Sequence, residues 1–107
     1  MNKKQKKKIK ELAHLAWQRE IDKELNSLSK GFEKWKNKEI DSADLVELIH
    51  KFHNGSARQI WVKYNNSNLE EILIFAVASD ILKKEEIPEN IYNTIKEKIG
   101  IITKQSS

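Results

Sequence analysis

His50 and His53 stand three residues apart, and Glu47 precedes them by another three, so residues 47–53 read Glu-x-x-His-x-x-His. Two imidazoles and a carboxylate are the donors of an open zinc or iron site. On a helix, however, the three fan round the axis by about 60° per step. A fourth ligand must then come from elsewhere, and the only other histidine is His14. The Glu-x-x-His element of di-iron bundles comes in pairs with further glutamates, and the chain holds no second copy. Glu47, His50 and His53 are the only metal candidates, and neither a metal nor another cofactor is expected.

Arg58 is one of two arginines in a chain whose other 18 basic residues are lysines. Where lysine is the default cation, an arginine marks a place that wants a planar, bidentate donor. Asp80 is a carboxylate inside the apolar run 69–82. If its face is buried, it must find a partner or shift its pKa. His50, His53, Arg58 and Asp80 therefore form a candidate polar cluster. The alternative places Asp80 in the exposed last turn of its helix. General acid–base work would require such a cluster to face a cleft. With no serine–histidine–acid order, glycine-rich phosphate loop or nucleophile elbow, an enzyme is the less favoured reading.

The net charge of +4 is local. Lysines occupy positions 3, 4, 6, 7, 8 and 10, and the remainder carries 14 basic against 16 acidic residues. Residues 1–7 are expected to be a flexible basic arm. A nucleic-acid-associated regulator would use Lys3, Lys4, Lys6, Lys7 and Lys8 for phosphate contacts. It would add Arg58, Gln59 and Lys63 from a helix-turn-helix-like segment, residues 45–64. That motif expects a small residue four before its glycine, where this chain has Lys51. Such binding should weaken steeply with salt and drop when residues 1–8 are removed.

The elements that position these residues are helical throughout. Apolar residues recur at steps of three and four, and no stretch alternates as a half-buried strand does. A long first helix is expected over about residues 8–36, with Ile9, Leu12, Ala16, Ile21, Leu25, Leu28, Phe32 and Trp35 as its stripe. A break within residues 27–31 is the alternative. Asp41 and Asp44 cap a second helix, with Ile40 and Leu45 as a hydrophobic staple. That helix should stop at Asn54 and Gly55, the glycine taking the left-handed conformation. Ser56 and Gln59 then cap a short third helix over about 57–64. A turn at 65–68 leads to the fourth helix, about 69–84, which is apolar on nearly every side and so expected to be central. Pro88 opens a fifth that buries Ile91, Ile95 and Ile99 and stops at Gly100. Residues 103–107 are expected to be a disordered tail. The fold class is therefore all-α, a compact bundle of four to five helices in one domain.

The run Ile49-His50-Lys51-Phe52-His53-Asn54-Gly55-Ser56-Ala57-Arg58-Gln59-Ile60-Trp61 resembles a segment of a family of small bacterial all-helical proteins without a settled function. The similarity extends over about residues 12–88, and it implies a compact helical fold and no particular chemistry. The chain has no cysteine and no run long enough to span a membrane, and with no apolar stretch near Met1 no secretory leader is expected. A cytoplasmic interaction module is the expected function, acting on a protein partner or on a second copy as a homodimer through its first or fourth helix.

Overall fold

The computed structural model describes the backbone of residues 2–106 and the side chains of residues 2–99. Every regular element among them is helical: α1 (Lys3–Lys36), α2 (Ser42–Lys51), a π-helical turn (Phe52–Ala57), α3 (Arg58–Asn66), α4 (Leu69–Ala78), a 3₁₀ turn (Lys84–Glu86) and α5 (Glu89–Ser106). The chain is all-α with a long first helix, as its periodicity requires.

α1 is continuous through Ser27 and Gly31 and begins at Lys3, inside the segment expected to be an arm. The reason lies in residues 2–5. Asn2 Oδ1 accepts the Gln5 N–H at 2.8 Å and Gln5 Oε1 accepts the Asn2 N–H at 3.2 Å, a reciprocal cap that starts the helix. At the other end of the chain α5 runs through Gly100 to Ser106, past the expected stop. Ser107 lies outside the described residues.

The largest correction concerns residues 52–57. The second helix does not stop at Gly55, no glycine has a positive φ, and Lys51, Phe52 and Arg58 are all right-handed helical. Residues 42–66 form one helical run interrupted by a π turn at Phe52–Ala57, a winding characterised by bonds five residues back instead of four. There is thus no turn in the segment compared above with a helix-turn-helix.

Two helix ends fall on residues that are not glycine. Lys38 has φ 62° after α1 and Asp80 has φ 60° after α4. Around each, the next amide bonds five residues back, Glu39 to Lys34 O at 2.8 Å and Ile81 to Ala76 O at 2.8 Å. The Lys38 and Asp80 amides bond three back, to Trp35 O and Val77 O. Both are Schellman ends. Asp80 is therefore exposed and ends α4 at Ala78, short of the expected residue 84.

The chain divides into two units. The first comprises the residues up to Gln18 with those from Ser67 on. It holds a conventional core: Ile9, Leu12, Ala13 and Ala16 of α1, Ile72, Leu73, Ile74 and Ala76 of α4, Leu82 and Ile87 of the connection, and Ile91, Ile95 and Ile99 of α5. Asn68 caps α4 by accepting the Glu71 N–H at 2.8 Å, and Lys98 Nζ reaches Glu70 Oε1 at 2.7 Å between α5 and α4. The second unit, Arg19–Asn66, is a hairpin of the C-terminal half of α1 against the helix 42–66.

Candidate functional site

The hairpin is set by three tie points. At its tip, Asp41 and Asp44 cap α2 reciprocally (2.8 and 3.2 Å), and Trp35 Nε1 donates to Ser42 Oγ at 3.3 Å. In the middle, Gly31 lets the helices close. A Cβ there would lie 2.8 Å from Leu48 Cδ1 and 3.9 Å from Leu45 Cδ1. At its mouth, Lys63 Nζ donates to Glu20 Oε1 at 2.8 Å, with both side chains largely withdrawn from solvent.

The π turn keeps one apolar seam along the whole of 42–66. At about 100° per residue, Leu45, Leu48 and Phe52 lie within about 60° of one another, but Ile60 and Tyr64 would stand about 60° and 100° away from Leu45. One extra residue absorbed in the π turn brings them back to about −40° and 0°. Leu45 and Ile60 are accordingly buried, and Phe52, Ala57 and Tyr64 half-buried.

Burial raises the Tyr64 phenol above its ordinary value, and the neighbouring Glu20 carboxylate raises it further. Tyr64 Oη and Glu20 Oε2 are buried, and neither completes a hydrogen bond among the described residues. Glu20 and Lys63 thus pair at the mouth, with a protonated phenol beside them. Glu20 and Tyr64 are 44 positions apart in sequence, so no local pattern joins them, and of the trio only Lys63 carries a sequence expectation, as a phosphate contact.

The remaining expected site residues are placed as follows. His50, His53, Arg58 and Gln59 are exposed along the helix 42–66, and Asp80 belongs to the other unit. The burial that would have forced Asp80 to seek a partner does not exist. Glu47 pairs with Lys51 at 3.5 Å on the exposed face. No group of three or more metal-ligating side chains occurs among the described residues. His14 stacks on Trp17 with ring centroids 5.6 Å apart. Lys3, Lys4, Lys6, Lys7, Lys8 and Lys10 are exposed on the first turns of α1, Lys8 lying 3.9 Å from Glu11.

What distinguishes the second unit is its surface. Of nine large apolar side chains exposed among the described residues, eight belong to it: Leu25, Phe32, Trp35, Val46, Leu48, Ile49, Trp61 and Val62. Only Leu45 and Ile60 of its apolar residues are fully buried, against 13 in the first unit. The stripe Leu25–Leu28–Phe32–Trp35 expected to be core is real as a stripe, but Leu25, Phe32 and Trp35 are exposed.

No protein-family model matches the chain, and neither the curated proteins nor the solved structures contain a match. No described helix is long and apolar enough to cross a membrane.

Proposed function

We propose that the protein is an interaction module, with the second unit as its working surface and the first unit as its folded support. The observation that carries this reading is the partition of apolar residues just described. A monomer seldom leaves large apolar side chains clustered in the open unless they meet a partner. Trp61, 60% exposed, is the side chain best suited to anchor one. Phe32 and Trp35 extend the same character to α1.

Affinity capture of the full-length chain from its native cell, compared with a Phe32→Glu, Trp61→Glu variant, tests this reading. Partners recovered by the parent and lost by the variant support it. A recovery profile that the variant leaves unchanged overturns it.

A second reading draws on the lysines of α1. Being helical, residues 3–10 present these cations on the solvent side of an ordered surface, opposite buried Ile9 and Leu12. Such a face suits non-specific phosphate contact. Association with duplex DNA that weakens steeply with salt and disappears when Lys3, Lys4 and Lys7 become glutamate would favour it.

A further inference from the structure

The apolar surface has a definite geometry within the hairpin. Gly31 and Leu48 touch at one edge of the seam. Taking about 100° per residue, Phe32 and Leu25 stand about 100–120° round α1 from Gly31, and Ile49 and Trp61 stand about 100–120° round the facing helix from Leu48. Because the two helices are antiparallel, these rotations run in opposite senses and arrive on the same side. One side of the hairpin therefore carries Leu25, Phe32, Ile49 and Trp61, all exposed.

Charge is distributed just as unevenly. Residues 30–38, the last turns of α1 and its cap, contain Lys30, Lys34, Lys36 and Lys38 against Glu33 alone. Residues 39–47, the start of α2, contain Glu39, Asp41, Asp44 and Glu47 and no base. Both segments lie at the tip of the hairpin, so its tip is basic on one helix and acidic on the other.

We infer that the occupant of this side is a second copy of the same chain, the two hairpins packing face to face as a four-helix bundle with their tips at the same end. This rests on the interaction reading above and names its partner. Only the same-end arrangement lays each basic α1 terminus over the acidic α2 start of its mate. The opposite-end arrangement leaves the tips uncompensated. Four helices around one core are a stable solution for amphipathic hairpins, and a two-fold contact requires the self-complementary pattern seen here.

Sedimentation equilibrium and a spin label at Glu39→Cys, in a chain that has no cysteine of its own, test the inference on the full-length protein. The expected result is a dimer whose dissociation constant rises several-fold between low and moderate salt. The distance between labels should be well below ~27 Å, the length of an 18-residue helix. Phe32→Glu with Trp61→Glu should give a monomer of unchanged helical content. A monomer at concentrations up to on the order of 100 μM overturns the inference, as does a dimer that survives the double substitution. Labels separated by the full length of the hairpin overturn it too. If the double variant loses helical content, the salt dependence and label distance of the parent still decide. A monomeric parent whose captured partners vanish on the double substitution retires the second copy and leaves the interaction reading standing.

Discussion

Glu20 accepts a 2.8 Å hydrogen bond from Lys63, 43 positions away, and this pair closes the mouth of the hairpin. Tyr64 sits beside it with a phenol raised above its ordinary value of 10.0, first by burial and then by Glu20. In a Tyr92→Phe background, ultraviolet titration should show the remaining phenol ionising above pH 10. Glu20→Gln should bring it part of the way down, because burial remains. A phenol raised in the folded chain keeps a proton that the unfolded chain releases. Stability from this group is therefore complete below pH 10 and falls as pH rises beyond it. An unshifted titration in the folded protein would contradict the arrangement.

Gly55 offers a second test, because its two readings predict opposite signs. A left-handed helix end would be damaged by a side chain. The observed residue is within the helical run, and a Cβ there meets nothing within 4 Å. Gly55→Ala should therefore stabilise the fold by about 0.5–1 kcal/mol, read as a higher midpoint in urea. Deletion of Asn54 should convert the π turn to regular α-helix and leave Leu45, Ile60 and Tyr64 on one seam, so helical content should persist.

Lys38 and Asp80 predict the reverse preference. Each holds the left-handed position that glycine occupies without cost. Lys38→Gly and Asp80→Gly should each raise stability by roughly 1 kcal/mol. A large loss on Asp80→Gly would instead assign the Asp80 carboxylate a structural role.

At Gly31 the outcome depends on size. The nearest atom to a new Cβ is the terminal methyl of Leu48, a partly exposed side chain that can swing aside. Gly31→Ala should change stability by less than about 1 kcal/mol, the gain in helix propensity offsetting the displacement. Gly31→Ile should cost about 1–3 kcal/mol by wedging α1 from α2. Thermal melts of the two variants give the comparison.

These positions show what could be read from residues alone. The Asp41–Asp44 cap was legible because both partners are neighbours in sequence. The same logic applied to Asn2 and Gln5 would have started α1 at its true beginning. Glycine misled: Gly31, Gly55 and Gly100 are all inside helices, while helices end at Lys38 and Asp80. The π turn left a trace in the sequence, since the apolar pattern slips by one residue between Phe52 and Ile60. The boundary expected there rested instead on Gly55 and on the Ser56–Gln59 capping pattern. The Glu20–Lys63–Tyr64 group and the exposure of Phe32 and Trp35 depend on how α1 meets a distant helix, which local periodicity does not encode.

The order of the units along the chain bears on how the protein folds. The first unit's core is drawn from both chain ends, and the 48 residues of Arg19–Asn66 separate them. Closing a flexible loop of that length costs on the order of 3 kcal/mol before any contact in the core repays it. The hairpin forms through a five-residue connection, residues 37–41, so it can assemble early and locally. Once Glu20 has met Lys63, the intervening chain is no longer a loop to be closed but a clasp already fastened. Its formation should set the pace at which the two halves of the first core meet.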